Sequence, residues 1–256
     1  MSELHAALAG SSIDTRYQPI VRVADRIPVA VEVLARMNHP AHGTLLPNRF
    51  VPQMEDAGLA PALTETVTRR AFADMSSPAL APYRLGIAVN FPLDVLFVPS
   101  ALQSLDMQRR EAGIRPQQVI VELTESRPVE DVAALRRVVE QLRHVGYGVV
   151  IDDIQPDVPQ LNALLDLPFT GVKLDKAIVQ ALATDARARA FTDGIVALAA
   201  TRGLTVTAEG VEDSATWDRL ADMGVEQAQG YLIARPLLAI AVPVWLRRWP
   251  RRQAAD

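Results

Sequence analysis

No cysteine occurs among the 256 residues. Disulfides, thiolate nucleophiles and cysteine-ligated metals are therefore excluded. The four histidines, His5, His39, His42 and His144, lie away from the ends of the apolar runs, so a histidine-rich metal centre is not expected. The longest apolar run, Leu237 to Leu246, falls short of the roughly 20 residues that a membrane span needs. Met1 to Gly10 lacks the basic start and apolar stretch of a signal peptide, so a cytoplasmic location is expected. Positive charge is not in excess: 26 Lys and Arg face 30 Asp and Glu, a formal net charge of −4. A general DNA- or RNA-binding surface is not expected from that balance, although local cations or metal ions could still receive an anionic substrate. There is no Ser/Gly-rich linker, low-complexity stretch or composition break, and no attached sensory or cyclase domain is visible. One domain over 1–256 is expected, with 1–12 and 250–256 as loose tails.

What the chain does contain is a repeated alternation of short apolar runs and helix-length amphipathic segments. Strands are expected at 17–23, 29–34, 85–90, 117–122, 148–152, 171–174, 204–208 and near 225–229. Helices are expected at 50–57, 64–75, 100–112, 129–144, near 159–166, 184–202, 214–223 and near 240–248. The segment 129–144 is the clearest, with Val132, Leu135, Val138, Val139 and Leu142 at helical spacing. Asn38 to Asn48, with its Pro, Gly and His, reads as a long loop. This rhythm predicts an α/β fold of the (β/α)8 barrel type, about 250 residues in its usual form, with chemistry gathered at the strand C-termini.

Polar residues stand at those termini. Glu32, Asn90, Glu122, the pair Asp152-Asp153, Lys173, Glu209 and Gln229 each lie at or just past the end of a run. Carboxylates and an amide carbonyl are hard oxygen ligands that suit Mg²⁺ or Mn²⁺ better than zinc. Adjacent acids such as Asp152-Asp153 can bridge and flank two cations, which in two-metal sites sit roughly 3.5–4 Å apart and activate water for in-line attack on phosphorus. Lys173 would neutralise a phosphoryl oxygen or orient the water. The residues thus point to metal-assisted phosphate-ester hydrolysis. The bland alternative is that each acid is solvated or caps the next helix, as Glu122 and Asp153 could. Several acids on one face of a barrel are harder to explain that way.

At these residues the chain resembles the EAL-domain family of cyclic di-GMP phosphodiesterases. Tyr17-Gln18-Pro19-Ile20-Val21 is similar to the family's opening motif, and Glu32-Val33-Leu34-Ala35-Arg36 stands where the family has Glu-Ala-Leu-x-Arg. Pro47, Phe50, Pro52, Glu55, Gly58 and Leu59 match the next segment. Val89-Asn90, Glu122-Leu123-Thr124-Glu125, Asp152-Asp153, Lys173-Leu174-Asp175, Ala208-Glu209-Gly210-Val211-Glu212, Gln229-Gly230-Tyr231-Leu232 and Arg235-Pro236 continue in family order. The resemblance covers about 17–236. It implies a TIM-like (β/α)8 barrel whose first strand is antiparallel, and opening of cyclic di-GMP to linear pGpG by a metal-activated water. It implies that Glu32, Asn90, Glu122 and Asp152 ligate one Mg²⁺ or Mn²⁺, and Asp152, Asp153 and Glu209 a second. Lys173 and Gln229 would contact the attacking water, its metal shell or the scissile phosphate, with Glu209 as proton acceptor. Gln18, Leu34 and Arg36 would line the nucleotide site, with Arg36 on a phosphate, and Pro236 would pack near a guanine. Asp175 and Glu212 are read equally well as supporting partners. In relatives the signalling output is often motility versus biofilm.

Two departures qualify the resemblance. Val33 replaces the family alanine, a mild change on a strand. Active relatives follow the Asp pair with Phe-Gly-Thr-Gly-Tyr-Ser-Ser-Leu, whereas this chain has Ile154-Gln155-Pro156-Asp157-Val158-Pro159-Gln160-Leu161. Both glycines are gone, and two prolines restrict the backbone. In the family this loop, which Glu125 helps to hold, supports metal binding and the homodimer contact. Reduced turnover, an altered dimer, or a role as cyclic di-GMP receptor or partner-binding regulator are the alternatives this opens. The C-terminal Trp245, Arg247, Arg248, Trp249, Arg251 and Arg252 read either as a membrane-surface or anionic-partner contact or as a barrel-closing helix with a solvated basic tail, the latter favoured.

Overall fold

The computed structural model describes residues 2–10, 12–124, 129 and 131–250. The elements run α1 (Ser2–Ala9), β1 (Ile13–Arg22), β2 (Pro28–His39), β3 (Gly43–Leu45), α2 (Pro47–Asp56), α3 (Ala60–Met75), β4 (Gly86–Pro92), α4 (Leu93–Leu96), α5 (Pro99–Glu111) and β5 (Val119–Thr124). They continue with α6 (Val132–Val145), β6 (Gly148–Ile154), α7 (Leu161–Leu165), β7 (Gly171–Leu174), α8 (Lys176–Ala181), α9 (Ala186–Arg202), β8 (Thr205–Ala208), α10 (Ser214–Asp222), β9 (Gln227–Ala228) and α11 (Val242–Arg248).

The sheet order is β1-β9-β8-β7-β6-β5-β4-β2-β3, and pairing of β1 with β2 closes it into a ring. β1 runs antiparallel to both of its neighbours, while β2, β4, β5, β6, β7, β8 and β9 are parallel. This is the barrel with an antiparallel first strand that the sequence predicts. β3 lies outside the ring as a hairpin partner of β2.

Local chemistry explains the alternation. The barrel strands are apolar because they are covered on both faces, as in β7, where all four residues are buried. Gly171 is needed in that strand: a Cβ there would lie 2.7 Å from the carbonyl oxygen of Thr205 on β8. Aspartates start the helices that follow. Asp131, Asp175, Asp185 and Asp213 accept backbone N–H groups at the N-termini of α6, α8, α9 and α10, at 2.7–2.8 Å. Gly146, in the left-handed region at φ 103°, ends α6.

Four stretches differ from the sequence expectation, one of them the short α4 between β4 and α5. Ser2–Ala9 forms α1 instead of a loose lead-in. The expected loop at 38–48 is a hairpin, in which Met37, Asn38 and His39 pair with Leu45, Thr44 and Gly43. His39 Nδ1 accepts the Ala41 and His42 N–H groups across its turn, a local bond that periodicity does not register. The short α8, capped by Asp175, was hidden in the connection before α9. Among the described residues no helix is long and apolar enough to cross a membrane.

Tyr17 fastens the antiparallel strand to the helical layer. Its ring is wholly buried, and its hydroxyl donates to Asp74 Oδ2 on α3 at 2.5 Å and lies 3.1 Å from Thr15 Oγ1. Burial and the Asp74 charge push the phenol's pKa upward. Tyr17→Phe is expected to lower stability by about 1.5–3 kcal/mol, the range for a hydrogen bond to a charged group. The check is a lower urea midpoint at unchanged denaturant slope.

Candidate active site

The strand register brings the polar residues to one end of the barrel. Asn90 on β4 lies beside Glu122 on β5, and Gln18 on β1 lies opposite Glu32 on β2. Asp152 and Asp153 stand near the end of β6, Lys173 on β7, and Glu209 and Gln229 just past β8 and β9. Asp153 adopts a left-handed conformation, φ 52°, which aspartate tolerates better than most residues. The β6–β7 register slips between Ile151 and Ile154, so both acids of the pair sit at the site. Gly230 lets the chain turn inward at Gln229, since a Cβ at 230 would collide with the backbone of Val211.

At the centre is the Lys173 ammonium. It lies 2.5 Å from Glu209 Oε1, 3.0 Å from Asp152 Oδ1, 3.3 Å from Glu122 Oε2 and 3.5 Å from Glu32 Oε2. Lys173 and Glu122 are each only 1% exposed, which places the ion cluster in the barrel interior. Gln229 Nε2 donates to Glu32 Oε2 at 2.6 Å and to Gln18 Oε1 at 3.0 Å. Asn90 Nδ2 donates to Glu32 Oε1 at 3.0 Å, and the Asp153 N–H donates to Asp152 Oδ1 at 3.0 Å.

Burial would lower the pKa of Lys173, but Asp152, Glu122, Glu209 and Glu32 outweigh it and hold the ammonium protonated. Burial likewise raises the carboxylates. Glu122 is pushed well above its ordinary value, with repulsion from Glu32, Asp152 and Glu209 adding to it. Glu209 is raised to about 8 by burial, with Asp152 and Glu32 adding to the rise. Asp153 is raised to about 6 by desolvation and the adjacent Asp152 charge. Glu32 is lowered: burial opposes this, but Lys173, Gln229 and Asn90 together outweigh it. One lysine is therefore too little positive charge for five clustered carboxylates, and protons make up the difference.

This donor set fits divalent cations. Ligand oxygens of Glu32, Glu122 and Asp152 lie within 4.8 Å of one another, and so do those of Asp152, Asp153 and Glu209. Asp152 belongs to both groups. Glu122 Oε2 and Gln229 Oε1 are buried without a hydrogen-bond partner among the described residues, which leaves acceptor capacity for a cation or water. All-oxygen groups of this kind suit hard ions.

Above the cluster opens a cavity of about 480 Å³. Gln18, Glu32, Leu34, Asn90, Asp152, Asp153, Glu209, Glu212 and Gln229 line it, whereas Lys173 and Glu122 do not. Arg36 is buried outside the lining, where its guanidinium donates to the Ala35 carbonyl oxygen at 2.8 Å, and Pro236 also lies outside it. Asp175 caps α8 and Glu212 accepts from Lys176 Nζ at 2.6 Å, so both make structural bonds. Glu125 lies outside the described residues. Pro47, Val51, Glu55, Leu63, Thr64 and Val67 from α2 and α3 form a wall that the strand-end pattern does not reveal. Pro47 and Glu55 stand in the matched motif, which was the available signal. Tyr231, at the mouth, carries the Arg235 guanidinium 4.4 Å from its ring centre.

The altered loop has a shape of its own. Ile154 is fully buried, and Val158 N–H donates to the Gln155 carbonyl at 3.2 Å across Pro156-Asp157. Neither Gln155 nor Asp157, at the former glycine positions, needs a positive φ. The left-handed residue is instead Gln160, φ 56°, just before α7.

A sequence model of the EAL domain matches residues 1–236. The chain is 32% identical over 232 residues to the cyclic di-GMP phosphodiesterase PA2567 of Pseudomonas aeruginosa, covering 91% of this chain and 40% of the relative. It is 30% identical over 243 residues to the cyclic di-GMP phosphodiesterase RocR of the same organism, covering 93% and 60%. The chain thus spans 40% and 60% of the length of these two curated relatives, less than two thirds of each. The solved structure of the PaMucR phosphodiesterase in complex with c-di-GMP superposes with a TM-score of 0.86 at 31% identity, covering 94% of this chain and 98% of that one. The EAL enzyme Bd1971, bound to cAMP and cyclic di-GMP, shares the fold with a TM-score of 0.89 at 23% identity, over 96% of this chain and 67% of that one.

Two outcomes follow from the charge balance. Glu209 and Asp153 have folded pKa values above their unfolded ones, so between about pH 5 and 8 the native protein binds more protons than the unfolded chain. Metal-free protein is therefore expected to lose several degrees of melting temperature as pH rises through this window, and Mg²⁺ or Mn²⁺ to reverse the trend; scans with chelator and with metal at each pH check it. Lys173→Met removes the shared partner of buried acids and is expected to cost about 3–5 kcal/mol without metal. Urea unfolding of the variant measures the loss, which should shrink at pH 5.5.

Proposed function

This chain belongs to the EAL domain family, and from that premise we propose that it hydrolyses cyclic di-GMP to linear pGpG with the help of two Mg²⁺ or Mn²⁺ ions. The observation that carries the reading is the convergence of Glu32, Asn90, Glu122, Asp152, Asp153, Glu209 and Gln229 around one buried lysine beneath an open cavity. The names of the relatives and of the PaMucR complex support the substrate. In this reading Glu32, Asn90, Glu122 and Asp152 hold one cation, and Asp152, Asp153 and Glu209 hold the other. Bound divalent cations supply Lewis acidity, easing deprotonation of water and offsetting charge on the phosphate.

The chain's own residues do the rest. The bond from the water oxygen to phosphorus forms as the bond to the ribose 3′ oxygen breaks, and the leaving 3′ oxygen takes a proton from solvent in the open cavity, giving a 5′-phosphate and a 3′-hydroxyl. Glu209, which faces the cavity just past β8, accepts the water proton. Lys173 stays protonated and anchors Glu209 and Asp152 from below, with a positive charge toward the phosphate. Gln229, already donating to Glu32 and Gln18, orients the water through its free carbonyl oxygen. Gln18 and Leu34 wall the nucleotide space. Arg36 and Pro236 meet a phosphate and a guanine only where the ligand reaches past the cavity or Arg36 leaves the Ala35 carbonyl.

A second reading is a cyclic di-GMP receptor or partner-binding regulator with little turnover and a changed homodimer, in the cytoplasm. The loop 154–160, rebuilt around Ile154 and Gln160, favours it. One experiment separates the two: purified protein is incubated with cyclic di-GMP and each metal, and products are resolved by chromatography. The first reading expects pGpG, with Asp152→Asn at least about a hundredfold slower, the scale of losing a group that stabilises transition-state charge. Tight nucleotide binding in calorimetry without product would establish the receptor instead.

A further inference from the structure

Between Glu226 and Asp256 the sequence contains no acidic residue, in a chain that has 30. This segment includes α11 and the short 3-10 turn Ala239–Ala241 that leads into it. Its inner face closes on the barrel through buried Val242, Pro243 and Leu246. Two stacked tryptophans lock it: Trp245 Nε1 donates to the Ile233 carbonyl at 3.2 Å and Trp249 Nε1 to the Arg26 carbonyl at 2.7 Å. The outer face is a different surface. Ile240, Val244, Arg247 and Arg248 follow at helical spacing, i, i+4, i+7 and i+8, and all four are exposed. Ile240 is 83% exposed, and Leu238 beside it 49%. Neither Arg247 nor Arg248 has an ion-pair partner among the described residues.

We propose that this stripe docks the protein reversibly on an anionic lipid surface, with Leu238, Ile240 and Val244 entering the interface and Arg247 and Arg248 on the headgroup phosphates. Aliphatic side chains in line with exposed arginines that have no ion-pair partner among the described residues, on a rigid support, are the composition of an interfacial contact. Three side chains are too few for a stable dimer, which buries about 800 Å² on each partner. The chain's net charge of −4 would repel an anionic surface, so attraction must come from the arginines of this segment, which has no acid of its own between Glu226 and Asp256. None of residues 238–248 lines the catalytic cavity, so docking leaves its walls free.

The test is co-sedimentation of the full chain with phosphatidylglycerol and with phosphatidylcholine vesicles at low and high salt, using wild type, Ile240→Ser and the double variant Arg247→Glu/Arg248→Glu. Binding to phosphatidylglycerol at low salt is expected, weakened about tenfold or more by either variant and by salt, with melting temperature unchanged. Absence of binding, equal binding to both lipids, or variants that bind like wild type would overturn the proposal. So would a dimer in lipid-free ultracentrifugation that Ile240→Ser dissociates, which would assign the stripe to a second copy.

Discussion

The structure depends on how one ammonium group is shared. Four carboxylates lie within 3.5 Å of Lys173 Nζ, inside a barrel where water does little screening. Without the lysine the acids could remain close only by taking up protons. With it, Glu32 stays ionised while Glu209 and Glu122 remain basic. A site in this condition is under-neutralised, and divalent cations relieve it more completely than protons because each brings two charges to fixed oxygens. The same unfavourable clustering that weighs on the metal-free fold is therefore what would draw hard cations to the cavity floor.

The barrel sustains that arrangement by confining it. Each of the four acids around Lys173 is anchored at a different strand end, and hydrogen bonds along the ring prevent the strands from spreading to lessen the repulsion. The antiparallel β1 matters here for a specific reason. It carries Gln18 to a position opposite Glu32, so that Gln18, Gln229 and Glu32 form a bonded row at the wall, while Tyr17 on the other face holds the strand to α3 through Asp74. Alternating side chains on one strand thus serve the site and the core.

Loop 154–160 shows how far such a scaffold tolerates change beside its site. The chain replaces two glycines by Gln155 and Asp157, yet the left-handed conformations fall at Asp153 and Gln160, so no strain is needed at the former glycine positions. Ile154 fills the core at the strand end, and Asp152 and Asp153 keep their place among the acids. Rearrangement of the loop and retention of the acidic cluster are separable because the cluster is fixed by the strand and the loop begins beyond it.

The sequence by itself determined the barrel, its order of strands and helices, and the set of polar residues at the strand ends, because apolar periodicity reports burial and motif order reports a shared fold. It did not reveal the hairpin at 37–45, the helix at 2–9, α4 or α8, which are set by local hydrogen bonds and segments too short to show a period. Nor could it distinguish Asp175 as a helix cap, or place Arg36 outside the cavity lining despite its position in the matched motif. The wall from α2 and α3, the meeting of four acids on one lysine, and the sharing of Asp152 between two groups were decided only by tertiary structure. Strand closure brings residues 197 and 211 positions apart into contact, as for Gln229 with Glu32 and Gln18, and within the acidic cluster the charges, at the distances this sets, then fix one another's protonation.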